Sequence, residues 1–295
     1  MMNQTVANKP QNASAQTIVG YKDIMTHLDG SPEDEIRLGH AEGLAALFGA
    51  HLTGIYTNML PEAIAYSAEL GTSAIYELEQ RLRQQGEAKA KKLVERFTRL
   101  GVANEVRKFE DLPGFLRHSV AREARWADLF VVSCPRDTDD RQWGPMVESV
   151  LFESGHGVYL IPPGRLVRDA IRMIVIGWVD SREAARAVTE ALPLLRLATA
   201  VHIVGVKETK NEAASSAPLS DIAAHLDRHG VATTINMAPA SDKSVASVLL
   251  DEAHRVSADL IVTGAYGHSR FREWLLGGAT RELLQNSDIP LFMAH

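Results

Sequence analysis

The chain has 295 residues, 45% of them hydrophobic and 23% charged, enough material for two ordinary domains with soluble surfaces. Its formal net charge of −6 offers no general surface for nucleic acid, and no apolar run approaches the roughly 18 residues that span a bilayer. The single cysteine, Cys134, excludes an intrachain disulfide and suits a reducing compartment, so a cytoplasmic protein with no membrane and no nucleic acid among its partners is expected.

Residues 1–16 are rich in Asn, Gln and Ala without an apolar core, which predicts a disordered tail rather than a signal or anchor. The first predicted strand is Asp23 to Leu28, followed by Asp29-Gly30-Ser31 and a helical stretch to Phe48. Ala50 to Tyr56 follows, then a long helix ending near Leu100, a strand at Glu105 to Phe109 and a helix from Pro113 to Arg125. The apolar run after Asp128 and the closing segment Gly157 to Ile161 complete a first unit. The turn Pro162-Pro163-Gly164 marks a boundary, and the same order of elements then recurs. Arg172 to Val179, a helix from Ser181, Ala200 to Val206 and a helix ending at His229-Gly230 come first. A strand to Met237, a helix across Val245, Val248 and Leu249, the run after Asp259 and a closing strand to Met293 follow.

Three local matches anchor the repeat: Arg99-x-Gly101-Val102-Ala103 with Arg228-x-Gly230-Val231-Ala232, Ala127-Asp128-Leu129 with Ala258-Asp259-Leu260, and the closing strands. Two units of alternating strands and helices, residues 17–164 and 165–295, imply α/β folds with parallel sheets. Asp128 and Asp259 open equivalent strands and read as structural. The first unit is longer in its second helix, where Ile75, Leu78, Leu82, Leu93, Val94 and Phe97 recur mostly at three- or four-residue steps. Such a stripe packs on its own sheet or overhangs to touch a partner.

The most specific stretch runs from Asp259 to Thr280. Leu260 to Val262 form a buried parallel strand, Gly264 and Gly267 allow a sharp turn and close approach of backbone to a ligand, and Gly277-Gly278 open a helix. Free N–H groups in that helix's first turn are a recipe for holding phosphate. Neither the Walker pattern nor G-x-G-x-x-G is present. The pattern G-x2-G-x9-G, followed by a helix and a last strand, resembles the nucleotide loop of the universal stress protein family, and the likeness extends over both units.

That resemblance implies two open five-stranded parallel sheets of the 3-2-1-4-5, adenine-nucleotide alpha hydrolase-like type, in tandem, with helices on both faces. It also implies a stress-response protein that binds ATP or another adenine nucleotide, with or without Mg²⁺, and acts through contacts with other proteins. In the family an Asp after the first strand meets the adenosine, and the glycine loop with the start of the last helix holds the phosphates. Carried over residue by residue, Asp29 fits in the first unit, but Ser133-Cys134-Pro135-Arg136 lacks the first glycine pair and Pro145 has no N–H to donate. The second unit keeps Gly264, Gly267, Gly277 and Gly278, whereas its Asp position is Val179, with Asp180 one place later. Gly278 stands where many nucleotide-binding members carry Ser, and Thr280 offers a hydroxyl instead.

His268 and Arg270, inside the excursion, are candidates to face a polyanion, Arg270 by bidentate pairing. Asp180 could accept from a ribose hydroxyl or help cap the helix beginning near Ser181, and Trp178 could stack on a base or belong to the core. No H-e-x-x-H, zinc spacing or G-x-S-x-G elbow appears, so no catalytic or metal site is expected. Cys134 reads as a buried inert thiol, with a redox-responsive role as the alternative. Rival readings are a nucleotide-free interaction scaffold and a slow ATP hydrolase. In the family the closing strands of two units pair antiparallel, which here would join Gly157–Ile161 to Ile289–Met293 within one chain. Further association, as a homodimer of tandem chains, would then use the long helix.

Overall fold

In a computed structural model, residues 20–62, 64, 73–136, 143–167, 170–206, 217–239, 242–265 and 278–295 are described. The expected tail therefore lies outside the described residues, as does most of the glycine excursion. The first unit contains β1 (Asp23–Leu28), α1 (Asp34–Phe48), β2 (His51–Met59), α2 (Ser73–Phe97), β3 (Asn104–Asp111) and α3 (Pro113–Glu123). It ends with β4 (Leu129–Ser133), α4 (Gly144–Glu153) and β5 (Gly157–Ile161). The second contains β6 (Met173–Gly177), α5 (Arg182–Leu197), β7 (Ala200–Val206), α6 (Ala217–Arg228) and β8 (Thr233–Ala238). It closes with α7 (Val245–Arg255), β9 (Leu260–Gly264), α8 (Gly278–Asn286) and β10 (Leu291–Ala294).

The two five-stranded sheets are continuous. Their order is β3-β2-β1-β4-β5-β10-β9-β6-β7-β8, all parallel within a unit and antiparallel only where β5 meets β10. Leu291, Phe292 and Met293 pair with Leu160, Tyr159 and Val158 there, and all six are buried. The pairing expected of the closing strands is present, and each strand satisfies the edge the other would expose.

Strand side chains alternate between two cores. Ile24, Leu129, Val131 and Tyr159 face α1, α2, α5 and α6, whereas Met25, Phe130, Val132 and Val158 face α3, α4, α7 and α8. Both units anchor their first strand in the same way. Asp128 Oδ2 accepts from the Lys22 and Asp23 amides at 2.6 and 3.0 Å, and Asp259 Oδ2 accepts from Arg172 and Met173 at 2.9 and 3.0 Å. This is the structural role read from the sequence.

On α2, Ala90, Leu93 and Phe97 pack on the first unit's own sheet, while Tyr76, Leu78 and Val94 are exposed. Ion pairs of Arg96 with Glu35, of Arg83 with Glu110 and of Glu87 with Lys108 tie the helix back to its own unit. Among the described residues no helix is long and apolar enough to cross a membrane.

Candidate functional site

In an open α/β sheet the ligand crevice lies outside the carboxyl ends of the strands, where strand order reverses. In the second unit that point is between β6 and β9, with Gly177 beside Thr263. Trp178, Val179 and Asp180 lead from β6 toward α5. Trp178 packs against the core and its buried Nε1 has no hydrogen-bond partner among the described residues, in keeping with the core reading. Val179 is 62% exposed and Asp180 is also exposed. The cap of α5 is Ser181, whose Oγ accepts from the Ala184 amide at 3.2 Å. Capping thus falls to Ser181 rather than Asp180, because Ser181 is the residue with extended backbone immediately before the first helical turn.

Gly264 ends β9 against the first turn of α5. A Cβ there would sit 2.6 Å from the Ala184 nitrogen and 2.7 Å from the Glu183 carbonyl carbon. Its missing side chain is required by backbone-to-backbone packing within the protein, a cause different from close approach to a ligand. Gly278 begins α8 with open space where a Cβ would project, and Thr280 is buried two residues further on. Gly267, His268, Arg270 and Gly277 lie outside the described residues. Of the eight residues singled out, the structure therefore places Asp180, Gly264, Gly278 and Thr280.

The first unit's crevice is arranged differently. The Asp29 Oδ1 atom accepts from Arg37 Nη2 at 2.6 Å and from the Ser31 amide at 3.0 Å. Asp34 accepts from the Asp29 and Gly30 amides at 3.1 and 2.7 Å and pairs with the same guanidinium. Arg37 is only 3% exposed. Burial alone would push the Asp29 carboxyl up, but Arg37 and the bonds from Ser31 hold it well below the usual carboxylate range. Asp34 moves the other way, to about 6, because burial outweighs Arg37 and the Asp29 charge adds to it. Asp29, the residue that the resemblance matches to the first-strand acid, is engaged by this chain's own arginine.

Beside it, the Thr57 hydroxyl donates to Leu28 O and accepts from His27 Nε2 at 2.7 Å, while the buried His27 Nδ1 has no hydrogen-bond partner among the described residues. Trp143, just ahead of α4, stands edge-on to the His27 ring at 4.5 Å, and Pro145 occupies the first turn of that helix. Ser133 takes the place of Gly264, with its Oγ buried and unpartnered. Cys134 is fully buried, and burial pushes its thiol up to about 12, which fits an inert structural thiol. A space of about 550 Å³ beside Trp143 and Pro145 remains open toward α3. Among the described residues no cluster could hold a metal ion.

Sequence reasoning did not single out His27, Asp34, Arg37 or Trp143. A histidine inside an otherwise apolar strand, and an Asp-Arg pair three apart in a first helical turn, were the available signals.

The buried imidazole has a pH signature. Burial, with Arg37 behind it, lowers His27 to about 3, so the ring stays neutral in the folded chain. An unfolded histidine titrates near 6.5, so the unfolded state binds the extra proton between pH 6.5 and 3. The His27 contribution to stability is thus complete above pH 6.5 and falls by about 1.4 kcal/mol per pH unit below it. Asp34 opposes this between pH 6 and its unfolded value, since its folded form takes up a proton first. Melting curves read only the difference, and NMR separates the two. The His27 ring resonances should stay those of a neutral imidazole from pH 7 to pH 5; a midpoint near 6 would show that the ring is not sealed.

Fold and crevices define a two-unit open-sheet α/β protein with one engaged and one glycine-bordered strand reversal. Residues 171–295, the second unit, match the family model of the universal stress protein family. Both units together match the crystal structure of a universal stress protein from Archaeoglobus fulgidus DSM 4304, at 16% identity and a TM-score of 0.70. That match covers 92% of this chain and 96% of the other. A functionally unknown protein from Pseudomonas aeruginosa PAO1 is similar at 14% identity and a TM-score of 0.59, covering 94% and 93%. These likenesses establish the shared fold. No curated protein matches the chain.

Proposed function

We propose that the chain is a cytoplasmic tandem universal stress protein that binds one adenine nucleotide, in its second unit, and responds to it through contacts with other proteins as a homodimer of tandem chains. The observation that carries the reading is the contrast between the crevices. In the first, Arg37 occupies the acid, and Trp143 and Pro145 stand at the phosphate end. In the second, Asp180 is exposed and α8 opens with Gly278, which leaves its first-turn N–H groups unobstructed by any Cβ at that position. Those groups, with the loop glycines and Arg270, would hold the phosphates, and Asp180 would accept from the ribose. Binding rather than turnover is proposed because the sequence carries no recognisable general-base or metal-ligand motif.

Equilibrium titration with ATP, with and without Mg²⁺, tests the reading. One saturable site per chain is expected. Gly267→Val should abolish it without changing the melting profile, and Pro145→Ser should leave it unchanged. Folded protein that binds no nucleotide at millimolar concentration would overturn the nucleotide assignment in favour of an interaction scaffold. The exposed Val179, in the acid's strand-aligned position, is the feature that favours that alternative. Light scattering that returns the mass of one chain would remove the homodimer.

A further inference from the structure

The seam between the units has two halves related by the internal repeat, and they are filled differently. The starts of β1 and β2 pair through Asp23 and His51, and those of β6 and β7 through Met173 and Ala200. Counting back from these pairs, Tyr21 corresponds to Ile171, Phe48 to Leu197 and Leu192 to Gly43. On one side Tyr21 packs edge-on against Phe48 at 4.9 Å, reaches across the seam and donates its hydroxyl to the Glu190 carbonyl of α5 at 2.7 Å. On the other side all three corresponding residues are smaller, and a cavity of about 240 Å³ lies between α1 and α5.

The cavity walls are mainly apolar, with Ile171, Leu194 and Leu197 facing Gly43 and Leu44. Tyr159 of β5 lines it and is itself buried; its ring packs against His40, and no described residue hydrogen-bonds to its hydroxyl. Leu47, Leu166 and Val167 border it and are exposed at 54%, 72% and 50%, which gives the space an opening to solvent. Among the described residues a Cβ on Gly43 would meet Val167 alone, at an ordinary contact distance of 3.6 Å, so Val167 covers this helix face loosely and leaves room beside it.

We propose that this cavity binds a small neutral ring compound of phenol size, occupying the place that Tyr21 fills on the other side and hydrogen-bonding through Tyr159. The volume sets the class. An apolar cavity of about 150 Å³ suffices for benzene, so 240 Å³ accepts a substituted single ring. A neutral ligand fits best: Arg165 and Asp259 line the cavity as one charge of each sign, so no net counter-charge faces an ion, and the mainly apolar walls would not replace its hydration. The filled half supplies the template: a phenol ring, edge-on contact with a neighbouring side chain, and one hydroxyl hydrogen bond.

The probe is p-cresol, which is the tyrosine side chain itself, followed by saturation-transfer NMR on the whole chain. Binding is expected for the unmodified protein and should be lost in Ile171→Tyr, which rebuilds the filled half, and in Gly43→Leu, which occupies the space from α1. Both variants should melt at or above the parent temperature because they fill a void. Absence of p-cresol binding to the parent, or undiminished binding to both variants, overturns the proposal. Unfolding of both variants would also overturn it, by showing that the space cannot take a ring. ATP binding in the second unit should be unaffected in either variant, so this test stands apart from the nucleotide reading.

Discussion

Replacing Arg37 with alanine is expected to destabilise the chain by about 3–5 kcal/mol, because it leaves two buried carboxylates beside one another with no counter-charge. The guanidinium sits between Asp29 and Asp34 with its side chain 4% exposed, and their side chains are 13% and 6% exposed. Neither carboxylate can turn to water without abandoning the turn it holds, since Asp34 accepts from the Asp29 and Gly30 amides and Asp29 from Ser31. The loss should shrink as pH falls from 7 to 5, since protonating a carboxyl removes the uncompensated charge. Removing all three charges together, with Asp29→Asn, Asp34→Asn and Arg37→Met, should recover much of the loss: each amide oxygen still accepts one bond of the turn, and a buried ion pair contributes little over a neutral replacement. Denaturant unfolding of the three proteins decides it. An Arg37→Ala variant within 1 kcal/mol of the parent, a bound chosen well below the expected range, would mean that water reaches the carboxylates.

The repeat was legible because each strand is an apolar run bounded by turn residues, and the three local matches fix the alignment of the halves without a structure. The antiparallel seam followed from the resemblance and from apolar edge strands that need a partner. The second unit's misfit was also visible, but its cause was not. Between strand and helix the first unit has Asp29 to Glu33, whereas the second has only Trp178 to Ser181. Counted along the paired first strands, Val179 stands in register with Asp29, and the connection shorter by one residue brings Asp180 next to the cap, an effect of length rather than of residue type. Arg37 was hidden for another reason. A charged residue in a helix is by default solvated, and only the shape of the turn beneath it determines that it is buried. The cavity at the seam was equally beyond reach, because it arises from three size differences at positions far apart in sequence that meet only when the units pair.

The same shorter connection draws the first turn of α5 onto the end of β9, and this makes Gly264 the most sterically constrained of the candidate residues placed. Gly264→Val is expected to destabilise the protein by about 2–3 kcal/mol, the upper part of the range for forcing volume into a packed interior. The clash is with backbone: the Ala184 nitrogen at 2.6 Å and the Glu183 carbonyl carbon at 2.7 Å cannot swing aside as a side chain would. Nor can α5 retreat cheaply, since its start is fixed by the Ser181 cap and its buried face, including Ala184, Ala187 and Val188, lies in the core. In the first unit Ser133 stands at the corresponding position with a buried Oγ that no described residue hydrogen-bonds, so Ser133→Gly should be close to neutral. Comparing two glycines then separates packing from binding. Gly264→Val should lower the melting temperature and weaken ATP binding together, whereas Gly267→Val should remove binding alone. A Gly264→Val protein that melts with the parent yet fails to bind nucleotide would show that this glycine serves the ligand and that the contact with α5 yields without cost.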